Sequence, residues 1–316
     1  MESSQIVTAF LSVGLIGAVL GAVLAYASKV FHVAVDPKVE KVMEVLPLGN
    51  CGACGFPGCP GFAEAVVSGK ADITLCTPGG QEVIDAIANI IGVSATAAQP
   101  MIAYCACNGT KENASDRFEY YGPASCSAAV FSSGGHKACD YGCLGFGECV
   151  EACSFGAMYM LENGLPYVDD EKCVGCAACV KACPKGIMKM MPKGSSVYLA
   201  CNSKAKGKEV SEACKVGCIG CKICAMPKTT PSGAIKMEGD IPVINYEIED
   251  SLTGAKFKCP KACFIDKSDS KKTAEDIAAE KEAFKAGEAK VAEAAKKAAL
   301  EKAASAKAAK EQDGQA

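Results

Sequence analysis

Between Cys139 and Pro184 the chain places eight cysteines, and the second half of that stretch reads Cys173-Val-Gly-Cys176-Ala-Ala-Cys179-Val-Lys-Ala-Cys183-Pro184. No other feature narrows the possible folds so far. A C-x2-C-x2-C-x3-C-P run holds cubane iron-sulfur clusters, its fourth cysteine serving the other cluster of a pair. Thiolates two residues apart can wrap one metal core only in a tight loop. Gly175, Ala177 and Ala178 let the backbone come close and aim N–H groups at sulfur. The alternative is a zinc knot, which would stop at four ligands and favour paired C-x2-C knuckles.

Cysteine is the anomaly of the composition, 22 among 316 residues. In a small secreted chain that number would mean disulfides, but C-x2-C spacing points to metal ligation in a reducing compartment. His32 and His136 are the only histidines, which leaves little room for histidine catalysis. A formal charge of −3 gives no electrostatic footprint for nucleic acid. Arg117 is the only arginine, so an electrostatic docking patch must be built from lysine or carboxylate.

Residues 3–28 carry no charged side chain, which predicts a membrane-spanning helix from about Ile6 to Ala27. A cleaved signal peptide is the alternative, since Ala25-Tyr26-Ala27 resembles a cleavage site. Against it, Glu2 is the only charge before an apolar run longer than a signal core. Lys29, Lys38 and Lys41 follow the span and no positive charge precedes it, which predicts one crossing with everything downstream in the cytoplasm. Gly14, Gly17 and Gly21 could form a small-residue face for other membrane helices. Next, Cys51, Cys54, Cys59 and Cys76 supply four thiolates, enough for one cubane, although a four-cysteine zinc site fits the same spacing. A short helix around Phe62–Val67 and a second through Val83, Ile84, Ile87, Ile90 and Ile91 are predicted there.

From Met101 the chain repeats itself. Ala106-Cys107-Asn108 is matched by Ala200-Cys201-Asn202, and the stretch from Ala138 to Cys149 by that from Ala213 to Cys224. Each copy continues into a predicted hairpin, turning at Asn163-Gly164 in the first and Gly239-Asp240 in the second. Aligned on their Cys-Pro pairs, Cys183 matches Cys259, whereas Cys173, Cys176 and Cys179 face Glu249, Leu252 and Ala255; aligned on Cys149 and Cys224, Cys153 faces Lys228. Four positions are lost as a set. That predicts one cluster on Cys153, Cys173, Cys176 and Cys179, and one in the second copy on Cys218, Cys221, Cys224 and Cys259. The remaining first-copy cluster has Cys143, Cys149 and Cys183, but Phe146 stands where the repeat has Cys221. Cys139 is the nearest candidate for its fourth ligand and Cys126 its rival. Cys105, Cys107, Cys126, Cys201, Cys214 and Cys263 are left either for an additional cluster or as buried apolar thiols. The expected complement is at least four [4Fe-4S] clusters, within a range of three to five.

After Asp266 the composition turns to Ala, Lys and Glu, predicting a solvated helical tail. Ile277, Phe284 and Val291 fall seven apart and could form a narrow docking stripe, against the expectation of a frayed tail without a partner. The predicted fold class is α+β. It comprises a membrane anchor (1–28), a small helical four-cysteine module (29–100), a two-cluster unit (101–196), a one-cluster unit (197–266) and a charged helical tail (267–316).

An N-terminal membrane helix, the Cys51-x2-Cys54-x4-Cys59…Cys76 module, the Tyr141-Gly142-Cys143-Leu144-Gly145 turn and tandem ferredoxin motifs together resemble the B subunit of the Rnf complex, the ion-translocating ferredoxin:NAD oxidoreductase of bacteria. The resemblance covers roughly residues 1–265. It implies tandem ferredoxin-like units in a cytoplasmic-membrane protein, an electron relay from soluble reduced ferredoxin to partner subunits that carry flavins, further clusters and the NAD site. The chain has no acid-base pair, activated nucleophile or nucleotide fingerprint of its own. The competing functional readings are a tethered polyferredoxin of another oxidoreductase or redox-sensor-reducing complex, and a zinc-bound structural protein.

Overall fold

The uncharged N-terminal stretch forms a single helix, α1 (Ser3–Val30), in the computed structural model, which describes residues 3–30, 36–94, 99–273, 275–291 and 293. At about 1.5 Å per residue its 28 residues exceed the ~30 Å hydrocarbon core of a bilayer. Its stretch Phe10–Val30 has a mean hydropathy of 2.2 and no residue buried against the rest of the protein. A helix apolar all round and packed against nothing suits lipid better than water. Gly14, Gly17 and Gly21 have open space beside them.

Helix α2 (Pro37–Val45) starts where Asp36 accepts from the Lys38 amide at 2.8 Å, with Pro37 in the first turn. It packs with α3 (Gly58–Val67) and α4 (Gly80–Ile91) around Val42, Phe62, Ile84 and Ile87. The three apolar faces bury one another and leave the cysteine loops at one end.

The first repeat runs β1 (Met101–Cys105), α5 (Cys126–Phe131), α6 (Glu148–Glu151), β2 (Met158–Met160), β3 (Pro166–Val168), α7 (Ala178–Ala182) and β4 (Met188–Pro192). The second runs β5 (Val197–Leu199), α8 (Gly207–Ala213), β6 (Ile235–Glu238), β7 (Ile241–Ile244), α9 (Thr253–Lys258) and β8 (Phe264–Asp266). Each has one hairpin, β2–β3 or β6–β7, and one antiparallel pair made by its opening and closing strands, β1 with β4 and β5 with β8. The closing pair is a second sheet that the hairpin signals do not predict, because its strands lie far apart in sequence. The β6–β7 turn is the two-residue Gly239-Asp240, Glu238 facing Ile241. The first hairpin has a longer loop in which Leu165 N donates to Asn163 Oδ1 at 3.0 Å.

The repeats meet through Tyr104 and Tyr198, whose ring centroids are 4.8 Å apart, and through the Lys267–Asp170 ion pair. Residues 275–291 are helical. Thr273 and Asp276 cap that helix reciprocally: Thr273 N donates to Asp276 Oδ2 at 2.9 Å and Asp276 N to Thr273 Oγ1 at 3.2 Å. The helix lies back on the second repeat, with Phe284 5.6 Å from Phe257, and Glu280 and Glu288 paired with Lys272 and Lys258. The stripe residue Phe284 therefore finds its partner within the chain, on a face of α9 that sequence periodicity alone does not reveal. The rest of the tail, 294–316, lies outside the described residues.

Candidate iron-sulfur centres

In the helical module, Cys51, Cys54, Cys59 and Cys76 line one cavity with Gly49, Phe62 and Phe155. Asn50 fixes the loop by accepting from the Cys59 amide at 2.8 Å. Phe155 comes from the first repeat and also lines the next cavity, formed by Cys153, Cys173, Cys176 and Cys179. Gly175 is required there twice over: its φ is +69°, and a Cβ would sit 2.3 Å from the Met101 carbonyl oxygen. The Ala103 amide points at Cys173 Sγ at 3.5 Å.

In the second repeat Cys218, Cys221, Cys224 and Cys259 line a third cavity together with Cys263. The Cys263 amide donates to Cys259 Sγ at 3.3 Å, matching the Ile187 amide on Cys183 Sγ at 3.4 Å in the first repeat. The electrostatics repeat as well. Burial pushes the Cys149 thiol up to about 12, and its counterpart Cys224 up to about 12. Cys143 is drawn down to about 7 by the Cys105 thiol beside it, and Cys218 down to about 7 by that of Cys263. Cys105 and Cys263, at places the sequence alignment does not equate, donate to the Cys107 and Val216 carbonyls at 3.7 and 3.4 Å.

At the irregular first-repeat site the structure sets both candidates, Cys126 and Cys139, near Cys143. Cys126 opens α5 near Cys143 and Cys149, with the backbone of Phe146 and Glu148 beside its sulfur. Glu148 holds this turn, accepting from Ser127 N at 3.0 Å and from Ser127 Oγ at 2.8 Å. Cys139 lines one cavity with Cys107, Cys143, Cys201 and Cys214. Phe146, at the position of Cys221, packs 5.5 Å from both Tyr120 and His136 and so anchors the insertion that delivers Cys126.

The donor sets are all sulfur, backbone amides are aimed at those sulfurs, and tight glycine turns bring backbone close, the surroundings a cubane cluster requires. The thiols surround cavities without converging: among the described residues no three His, Cys, Asp or Glu side chains are grouped to hold a single metal ion.

An Fe-S cluster family matches residues 46–78 and a 4Fe-4S dicluster domain matches residues 138–187. The chain is 45% identical to the B subunit of the proton-translocating ferredoxin:NAD(+) oxidoreductase complex of Clostridium ljungdahlii, over 78% of this chain and 87% of that protein. The chain belongs to the B-subunit family of the Rnf complex. It is an iron-sulfur electron-transfer component of an ion-translocating ferredoxin:NAD oxidoreductase, and membrane-associated. Other Rnf B subunits agree: it is 37% identical to that of the ion-translocating oxidoreductase complex of Methanosarcina acetivorans (82% of this chain, 97% of that one). It is 41% identical to that of the Na(+)-translocating ferredoxin:NAD(+) oxidoreductase complex of Acetobacterium woodii (79% and 74%).

The dicluster match reaches neither Cys126 nor the second repeat. Sequence could have flagged the grouping of Cys107 with Cys201 through the twofold Ala-Cys-Asn motif, and of Cys139 with Cys214 through the matched Ala-Cys pairs; nothing local marks Cys126.

Proposed function

We propose that this Rnf B subunit takes electrons from soluble reduced ferredoxin and hands them, through [4Fe-4S] clusters, to partner subunits that carry the NAD chemistry. Four quartets serve as ligand sets: Cys51, Cys54, Cys59 and Cys76; Cys153, Cys173, Cys176 and Cys179; Cys126, Cys143, Cys149 and Cys183; and Cys218, Cys221, Cys224 and Cys259. The observation that carries the relay is adjacency. Phe155 walls both of the first two cavities, and Cys179 lies within electrostatic reach of Cys149 in the third set. Each group, when bound, supplies one-electron chemistry; the protein supplies the thiolates, the amides that tune them and the exclusion of water. The α1 helix crosses the membrane once and keeps the cluster domains on the cytoplasmic side, in line with Lys29, Lys38 and Lys41 following it.

Anaerobically purified protein mixed with chemically reduced ferredoxin tests the reading. Its visible absorbance should bleach and cluster EPR signals should appear as the ferredoxin is oxidised; clusters reduced by dithionite but not by ferredoxin would overturn the donor assignment. Protease treatment should remove the domains after α1 only from inverted vesicles.

A further inference from the structure

We propose that Cys107, Cys139, Cys201 and Cys214 hold an additional [4Fe-4S] cluster at the seam between the two repeats, joining the clusters of the first repeat to that of the second. The inference rests on the relay reading and deepens it. Each repeat contributes two of the four thiols: Cys107 and Cys201 from the matched Ala-Cys-Asn motifs, Cys139 and Cys214 from the matched Ala-Cys pairs. Together with Cys143 they line one cavity, as the second-repeat quartet and that of the helical module each line theirs. Strand-like contacts fix the seam: Ser115 N donates to the Ala213 carbonyl at 3.1 Å, Lys215 N to the Asn113 carbonyl at 2.8 Å, and Ala138 N to the Ser115 carbonyl at 2.9 Å. Cys139 and Cys214 are thereby held to one short backbone segment, Asn113–Ser115.

The cavity is dressed as the other sites are. Gly109 N and Cys143 N donate to Cys107 Sγ at 3.3 and 3.5 Å. Cys218 N donates to Cys201 Sγ at 3.3 Å, and the Ser203 amide lies beside the same sulfur. Both repeats thus aim the same pair of amides at the same sulfur, the arrangement that stabilises ligating thiolate. Backbone runs close to the other two thiols. A Cβ on Gly142 would lie 3.4 Å from Cys139 Cβ, and one on Gly217 3.4 Å from Cys214 Cβ and 2.3 Å from Val210 Cγ1. Lys137, ion-paired with Asp116 at 3.0 Å, is buried on the cavity wall, so its cation lies beside a site where four thiolates leave a bound cluster net negative.

The placement explains what a solitary second-repeat cluster would leave open. Cys143 and Cys218, whose amides touch the seam sulfurs, are themselves ligands in the first-repeat and second-repeat sets. A single electron can therefore step from one repeat to the seam and on to the other. The donor cluster is oxidised and the acceptor reduced by that electron, with no bond made and no proton moved.

Iron and sulfide analysis with native mass spectrometry of the anaerobically purified full chain should give five clusters. Cys107→Ala and Cys201→Ala, taken from opposite repeats, should each remove one cluster and the same EPR component, and the double variant should lose no more than either alone. Unchanged iron in the variants, or an additive loss in the double variant, would overturn the seam site. If the variants fail to fold, the wild-type count decides: four clusters, or four with one zinc, refutes it. A chain with no iron at all would instead sink the relay reading on which it rests.

Discussion

The two repeats share strand pairs, amide-to-sulfur hydrogen bonds and a Cys-Pro signature, yet they solve the loss of a ligand in opposite ways. In the first, Phe146 stands where the repeat has Cys221, and under the proposed ligation the fourth thiol comes from Cys126 on an inserted helix, pinned by Glu148 and by the packing of Phe146 on Tyr120 and His136. In the second, four positions have been lost together and their space is filled by packing. Leu252 and Ala255 are buried among Ala234, Ile235 and Phe264, where the first repeat sets Cys153, Cys173 and Cys179 against Ala103 and Met158. Lys256 on α9 is buried against Asp266 and Asp269, at 3.3 and 2.8 Å. A metal core can be replaced by a hydrocarbon core, because both satisfy the same short elements from inside. A single missing ligand cannot be replaced that way and must be recruited from elsewhere.

The sharpest break would come from Cys259→Ala. It should remove the second-repeat cluster, about four irons, while the EPR signals of the first repeat persist; unaltered iron would sink the repeat-based assignment. Cys126→Ala should likewise remove one first-repeat cluster. Adding Phe146→Cys in that background should restore it, since the position is the one Cys221 occupies in the second repeat. Failure of the rescue would show that the two sites are not equivalent. Lys256→Ala leaves buried Asp266 without its cation, while Asp269 and Glu280 keep Lys272, and should cost about 3 kcal/mol. A thermal midpoint unchanged from wild type would show that those charges do not hold the second repeat together. The mildest change, Phe284→Ala, should weaken docking of the tail helix by about 1 kcal/mol, read as faster amide exchange over residues 275–291 with the strands unaffected.

Much of this architecture is legible in the sequence where a ligand, a turn and a repeat coincide. The C-x2-C-x2-C-x3-C-P run and Gly239-Asp240 act over a few residues, so pattern and structure agree. Cys126 and Cys139 are harder, because the first repeat carries a longer insertion at residues 108–138 than its counterpart at 202–213. Proximity in sequence makes Cys139 the nearest candidate, whereas Ala138 N, donating to the Ser115 carbonyl at 2.9 Å, holds it beside the segment whose Ala114 bridges Cys214. The docking of Phe284 on Phe257 depends on which face of α9 remains open, and that is settled only by how β5 and β8 pair. Periodicity carries no information about such distant partners.

Phe155, on the wall of two cavities, makes the charges held in them face each other across one hydrocarbon ring, with little water to screen them. Two unit charges about 10 Å apart at an effective dielectric of about 20 repel by about 1.7 kcal/mol. Under the proposed ligation, an electron on either site therefore discourages a second on its neighbour by more than a factor of about ten. The module and the first repeat would fill in turn, the pair behaving as a turnstile that passes one electron at a time.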